Sequence, residues 1–229
     1  MTQLAAAALA FLLLHRVVSG SRLRAVIVGR IGQRRFRAAF ALASALAVGW
    51  LALAYAGTAA PWSRPLWEVP RWLAGANLVL QPAALLLCLC GILAPNPTAV
   101  GQEEAARRDD VVRGMLRVTR HPFLWGIALL ALGHMAAMPS PRGFVLFGTL
   151  LWVALRGTLS IDAKRRRSLG ASWAAYAART SNLPFGAILA GRQTFRPSEI
   201  GARTLLAAAL ASAGTALAHP PAWRLLAGA

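Results

Sequence analysis

The stretch VTRHPFLWGIALLALGH, residues 118–134, decides the fold of this chain. It opens a run without Asp, Glu, Lys or Arg that extends from residue 121 to residue 141, long enough for a helix that crosses a membrane. Two histidines, His121 and His134, lie inside that run. An ionisable side chain in hydrocarbon is costly, so each of them indicates a functional site whose partner lies elsewhere in the chain.

The composition is that of a membrane protein. Of 229 residues, 57% are hydrophobic and 14% are charged, with a mean hydropathy of +0.53, which excludes an ordinary soluble domain. Four intervals lack charged residues over the roughly 20 positions that a spanning helix needs: 38–63, 72–102, 121–141 and 204–223. Two shorter apolar segments, 1–15 and 143–155, complete the pattern, and the second reaches Asp162 if Arg156 extends its guanidinium to the headgroups. We therefore predict an all-α, polytopic integral membrane helical bundle with about six transmembrane helices.

The net charge of +18 fits a membrane topology. With the amino terminus outside, the three inner loops carry seven, five and eight Lys and Arg residues, against four outside, as expected of cytoplasmic loops. The predicted cytoplasmic interfacial segments, which contact membrane lipid, are 19–37, 102–120 and 162–203. The basic residues are not interleaved with aromatic ones, so no nucleic-acid partner is expected. No basic residue precedes the first apolar segment, which is predicted to be a retained helix rather than a signal peptide.

Four of the seven acidic residues crowd into GQEEAARRDDVVRGMLRVTR, residues 101–120. Opposite charges stand four positions apart in this segment, a spacing that supports a helix: Glu103 with Arg107, Glu104 with Arg108, and Asp109 with Arg113. We expect a solvated surface helix that leads into the fourth span.

Four histidines lie in or at the ends of predicted spans: His15, His121, His134 and His219. His121 and His134 stand 13 residues apart, about 20 Å along a helix, so they cannot hold one small ion together. His121 precedes Pro122, and its alternative role is a cap at the start of the helix. His15 is alternatively a ring that reaches the membrane boundary, and His219 is most simply a boundary residue.

A haem is the cofactor that suits such histidines. His134 shares a helical face with Leu130, Ile127 and Phe123, and no carboxylate or thiolate pair accompanies the histidines. A bare dication requires charge-compensating ligands, whereas haem iron accepts neutral imidazoles in an apolar cavity. The residues therefore indicate a haem held by two histidines, with purely structural histidines as the alternative.

The stretch RHPFLWGIALLALGH, followed by FVLFGTLLWVALRGTLSIDAKRR, TSNLPFGAILAGR and a final HP, resembles the NnrU family of bacterial membrane proteins over nearly the whole chain. The resemblance implies one domain over residues 1–229 in the bacterial inner membrane. It extends to the plant zeta-carotene isomerase, a haem b enzyme, and implies that His15 and His134 bind the haem iron between the first and fourth spans, with His121 nearby. The isomerase has a cysteine where this chain has Ala131. Our topology places His15 on the inner side, so His15 with His121 is the alternative pair.

The resemblance also implies a function, and two other functions compete with it. Family members are associated with nitrite and nitric oxide reduction in denitrification, and the plant enzyme isomerises a lipophilic polyene. The stretch RHPFLWG, with a later acid and WAAYAAR, is also similar to isoprenylcysteine-type membrane methyltransferases, which bind S-adenosylmethionine through His-Pro and two glutamates. Here that acid pair is reduced to Asp162 followed by Ala163. The third candidate is a non-enzymatic assembly or regulatory factor of the respiratory membrane.

Overall fold

The computed structural model describes residues 1–18 and 22–218, and these residues form helices and connecting segments without a β-strand. A turn of π-helix, Leu14–Val18, follows the first helix. The α-helices, in chain order, are α1 (Thr2–Leu13), α2 (Arg22–Ile31), α3 (Gln33–Ala56), α4 (Arg71–Leu93), α5 (Met115–Val118), α6 (Pro122–Ala137), α7 (Pro141–Leu169), α8 (Ala171–Arg179), α9 (Gly186–Leu189) and α10 (Ala202–Ala218). The all-α prediction is confirmed for this part of the chain.

Three helices, α3, α4 and α7, are long and apolar enough to cross a membrane. Three shorter apolar helices coincide with the other predicted spans: Thr2–Val17, Pro122–Ala137 and Ala202–Ala218. A helix of 16 residues such as α6 is about 24 Å long, less than the roughly 30 Å of a bilayer core. The chain is thus a membrane protein with three full-length candidate spans, and the count of six stays a prediction.

Prolines set several helix boundaries where the sequence predicts them. The charge-free interval 72–102 predicted the third span, and α4 starts within one residue of it but ends at Leu93, two residues before Pro95. Helix α7 begins at Pro141, where the missing N–H costs nothing, and continues past Asp162 to Leu169. The predicted limit near Asp162 was too short.

The prediction of a surface helix over residues 102–120 is wrong. This segment contains a short 3-10 helix, Glu103–Arg107, and the four-residue α5, separated by extended backbone. Gly114 has a φ of +53°, which a continuous right-handed helix does not contain. Of the predicted helical ion pairs, Glu103 instead pairs with Arg165.

The described chain forms two compact units, each made of two stretches of sequence. The first comprises Met1–Val69 and His134–Val153. In its core, Leu4 and Ala7 of α1 pack with Leu51 and Ala54 of α3, joined by the start of α7. The ring of His15 lies near that of Phe40, so α1 and α3 run antiparallel.

The second unit comprises Pro70–Gly133 and Ala154–Ala229. Trp173 and Tyr176 of α8 form its core with Val111, Val112 and Leu116. This face of α8, which lies within the predicted interfacial segment 162–203, is therefore buried.

Glycine allows α4 and α6 of the second unit to pack closely. A Cβ on Gly91 would lie 2.5 Å from the backbone N of Phe123. A Cβ on Gly126 would lie 2.5 Å from the sulfur of Cys88. Small residues at such contacts are typical of helices that associate in lipid. Cys88 and Cys90 are buried free thiols.

Candidate functional site

A buried cluster of Arg120, His121 and Asp162 is the best-defined polar site in the described part of the second unit. Arg120 and His121 stand between α5 and α6, because the following Pro122 starts α6. Asp162 projects from the last third of α7. The histidine of the RHP stretch therefore finds its partner 41 residues away.

Asp162 accepts hydrogen bonds from both basic residues. The Nη2 of Arg120 donates to Asp162 Oδ2 at 2.9 Å, and its Nε donates at 3.1 and 3.2 Å. The Nε2 of His121 lies 2.6 Å from Asp162 Oδ1. The side chains of Arg120 and Asp162 are 13% and 12% exposed, and that of His121 is 0% exposed. Hydrogen bonds involving charged groups that are this short and this little exposed to solvent are stronger than hydrogen bonds between neutral groups.

The hydrogen bond to Asp162 fixes the tautomer of His121. A carboxylate only accepts, so Nε2 carries the proton and a neutral ring keeps its lone pair on Nδ1. Nδ1 is buried and has no hydrogen-bond partner within residues 1–18 and 22–218. The cluster thus contains one carboxylate, one guanidinium and a neutral imidazole, and its net charge is zero.

A loop after α8, Thr180–Phe185, holds the RHP stretch in place. The backbone N–H of Arg120 donates to Ser181 O at 2.8 Å, and that of Phe185 donates to Val118 O at 2.8 Å. The carbonyl oxygen of Asn182 accepts from both Thr119 Oγ1 and Trp125 Nε1, each at 2.7 Å.

Asn182 also reaches the cluster itself. Its side-chain Nδ2 donates to Asp162 Oδ2 at 3.4 Å. The TSNLPF sequence named above for its resemblance therefore lies against the RHP sequence in the fold.

Two further groups surround the guanidinium of Arg120. Its carbon lies 6.0 Å from the ring centre of Trp173, close enough for a cation–π interaction. Its Nη1 donates to Thr180 Oγ1 at 3.4 Å. The strongest donors of Arg120 and both oxygens of Asp162 are therefore engaged inside the protein, so this arrangement does not present them to S-adenosylmethionine.

Asp162 was not expected to be the partner of His121. A signal was present, because an acid at the end of an apolar span requires a counter-ion. The cap role expected for His121 is only partly right. Its carbonyl accepts the first helical hydrogen bond, from Trp125 N, while its ring turns to Asp162.

His15 lies on the π-helical turn that ends α1. Its Nδ1 is 3.0 Å from the carbonyl oxygen of Phe11, and its ring packs against those of Phe11 and Phe40 at centroid distances of 4.2 and 5.5 Å. Because a carbonyl only accepts, Nδ1 carries the proton, and a neutral ring has its lone pair on Nε2. Turns of π-helix are frequent at functional sites.

His134 lies near the carboxyl end of α6 and, like His15, belongs to the first unit. Its half-buried ring stacks on Phe147 at 4.5 Å, with 22° between the planes. The ring of Phe147 in turn lies 6.3 Å from that of Tyr55.

These contacts place His15 and His134 toward opposite ends of α3. His15 contacts Phe40, whereas His134 reaches Tyr55 through Phe147. Phe40 and Tyr55 stand 15 residues apart on α3, about 22 Å along a helix. The axial ligands of one iron face each other across it, and this structure does not bring the two rings into that arrangement.

The remaining predicted site residues lie elsewhere. His121 belongs to the second unit, and its hydrogen bonds described above are all made there. His219 lies outside the residues that the structure describes. Those residues contain no group of three or more His, Cys, Asp or Glu side chains able to hold a metal ion.

A second ion pair in the same unit joins Arg117 to Glu199. Arg117 Nε and Nη2 donate to the two carboxylate oxygens at 2.7 and 2.8 Å, and the backbone N–H of Gly114 donates at 2.8 Å. The hydrogen bond from Arg117 is the main cause that lowers the pKa of Glu199 to about 2. This pair joins the segment before α6 to the one before α10.

The comparisons with known proteins give a family. A family model described as NnrU protein matches residues 3–224, nearly the whole chain. Comparison with curated proteins and with solved structures finds no significant match. The family resemblance seen in the RHP stretch is therefore confirmed.

Proposed function

This chain belongs to the NnrU family, and from that premise we propose that it is a membrane protein that binds haem b in the first unit, with His15 as an axial ligand of the iron. The observation that carries the proposal is the hydrogen bond from Nδ1 of His15 to the carbonyl oxygen of Phe11.

That bond prepares His15 for a metal. Histidine ligands usually donate their second ring N–H to a carbonyl or carboxylate, which fixes the tautomer and makes the ligating nitrogen more basic. In His15 the donating nitrogen is Nδ1, so the lone pair is on Nε2. Phe11 and Phe40 supply apolar aromatic contacts of the kind that suit a haem pocket.

The hydrogen bond of His15 to Phe11 does not identify a second ligand of the haem iron. The resemblance implies His134 as this ligand. That requires the ring of His134 to lie closer to His15 than the contacts described above place it. Binding of the haem by His15 alone would rest on the contacts of the first unit described above.

Bound haem b would supply a reversible iron redox couple. We propose that the protein uses it in the inner membrane, either in the nitrite and nitric oxide reduction associated with the family or in isomerising a lipophilic polyene. In either case the chain contributes the ligand and an apolar site within α1 and α3. The Arg120, His121 and Asp162 cluster then has a structural role, holding α6 and α7 in register within the second unit.

The proposal is tested by the visible spectrum of protein purified in mild detergent. Wild-type protein is expected to show the Soret band of haem b. The His15→Gly variant is expected to lose it and to regain it when free imidazole is added, because imidazole replaces the missing ring. A structural histidine would not give this rescue.

Two further variants identify the second ligand. If His134 or His121 binds the iron, its replacement by alanine converts a six-coordinate low-spin spectrum into a high-spin one. An unchanged spectrum in His134→Ala excludes the pair implied by the resemblance. Folded wild-type protein without haem, prepared from cells supplied with haem, would refute the proposal and leave a non-enzymatic membrane factor as the better interpretation.

A further inference from the structure

A cavity of about 230 Å³ lies in the second unit where two apolar helices end. One wall comes from the carboxyl end of α4, at Cys90 and Ala94, and another from Ile200 and Gly201, which precede α10. Pro122 at the start of α6 adds a further apolar wall. Helices α4 and α10 pack against each other, so the cavity lies at the end of a helix pair.

The position of this cavity corresponds to a membrane boundary. The candidate span α4 ends at Leu93, between the lining residues Cys90 and Ala94. Large apolar side chains beside the cavity are exposed, with Leu93 at 54% and Leu206 at 61%. Such surface is expected to face lipid, whereas the other rim of the cavity consists of the charged loop 108–116.

One of the charged side chains on the rim of the cavity forms no salt bridge within the described chain. Arg108 pairs with Asp110 through two hydrogen bonds of 3.0 and 3.1 Å, and Glu199 is already bonded to Arg117. Arg113 also lines the cavity, is exposed, and makes no ion pair within the described chain. The cavity therefore combines apolar walls with one cation whose charge is not neutralised by a salt bridge there.

We propose that this cavity binds one anionic phospholipid, with the headgroup phosphate at Arg113 and the start of an acyl chain along Ala94 and Gly201. A guanidinium at a membrane surface binds a phosphate through charge and paired hydrogen bonds. The apolar walls favour a lipid over a free phosphate ion, because removing these walls from water lowers the free energy only when hydrocarbon covers them.

The site differs from general attraction to a basic surface. The chain carries a net charge of +18, so anionic lipid gathers around it regardless of any particular residue. A specific site predicts that Arg113 contributes more than another exposed arginine. Arg167, an exposed arginine on α7 that does not line the cavity, provides the matched control.

The experiment is native mass spectrometry of the full chain in neutral detergent, titrated with dioleoylphosphatidylglycerol. The Arg113→Gln variant is expected to bind the first lipid about fivefold more weakly than wild type, the ratio that follows from ~1 kcal/mol per basic residue at a membrane surface. The Arg167→Gln variant is expected to bind within a factor of two of wild type. Dioleoylphosphatidylcholine, which has no net charge, is expected to bind more weakly than phosphatidylglycerol.

A second variant tests the apolar part of the site without changing charge. An added Cβ on Gly201 meets no atom within 4 Å, so Gly201→Leu is expected to fold and to fill the cavity. It is expected to weaken binding of phosphatidylglycerol as well.

Three results would overturn the proposal. Equal loss in Arg113→Gln and Arg167→Gln would show attraction to the basic surface alone. Unchanged binding in folded Gly201→Leu would show that the cavity holds no lipid. Displacement of the lipid by millimolar inorganic phosphate would show a plain anion site. Because Arg113 is exposed, its replacement leaves the fold intact and keeps the first comparison decisive.

Discussion

Replacing Asp162 by alanine removes the acceptor of four hydrogen bonds from Arg120 and His121 at the RHP stretch. The guanidinium of Arg120 then stays 13% exposed without its carboxylate, and His121 loses the partner of its Nε2 in a place where its side chain is 0% exposed. Removing one partner of a buried ion pair costs about 3–5 kcal/mol, because the other charge stays buried and unpaired. For a chain of this size that corresponds to roughly 6–20 °C in the melting temperature.

The assay is thermal unfolding of detergent-purified protein, followed by the loss of the monodisperse peak in size-exclusion chromatography. Asp110→Ala is the control, because it removes a carboxylate from an ion pair whose side chains are about half exposed, and such pairs stabilise little. The double variant Asp162→Ala with Arg120→Met is expected to recover part of the loss, since no cation is left buried. If Asp162→Ala melts within 2 °C of Asp110→Ala, on the order of 1 kcal/mol or less, the cluster does not stabilise the fold and the reasoning fails.

Two other predictions follow from contacts in the second unit. The ion pair with Arg117 lowers the pKa of Glu199 to about 2 from a usual 4.5, so its contribution to stability is full above pH 4.5 and is lost as the pH falls toward 2. Urea unfolding of wild type and Glu199→Gln is therefore expected to differ at pH 7, to differ less at pH 3 and to converge near pH 2; a constant difference would contradict it. A Cβ on Gly91 would lie 2.5 Å from Phe123 N, whereas one on Gly75 meets no atom within 4 Å. Gly91→Ala is thus expected to lower the melting temperature and Gly75→Ala to leave it unchanged or raise it, and equal effects would contradict the close contact of α4 and α6.

Much of the fold could be predicted from the sequence, because lipid imposes simple rules on it. The absence of charge over 72–102 predicted the start of α4 within one residue, and Pro95 and Pro97 explain why the helix ends at Leu93. For residues 102–120 the prediction failed. Opposite charges four positions apart suggested a helix there. Gly114 and the long-range pair between Glu103 and Arg165 decide that segment instead, and spacing along the chain shows neither.

For the candidate site, the need for a partner of His121 could be predicted, but the identity of that partner could not. The cost of a histidine in hydrocarbon correctly indicated that His121 requires a partner. Asp162 stands 41 residues further on, and helical spacing relates residues only over a few turns. The neighbourhood of His15 likewise depends on Phe40 from another helix, so its aromatic surroundings were not visible in the sequence.

The ion pair between Arg120 and Asp162 has a consequence for how the protein is made. Arg120 directly precedes α6 and Asp162 lies on α7, and a lone charge near the bilayer centre costs about 2.5–3.5 kcal/mol during insertion, less near its boundary. If α6 leaves the translocon first, Arg120 lacks a counter-ion until α7 arrives. Release of the two segments together, as a helical hairpin, avoids that intermediate, so the charge pair couples the biogenesis of neighbouring helices.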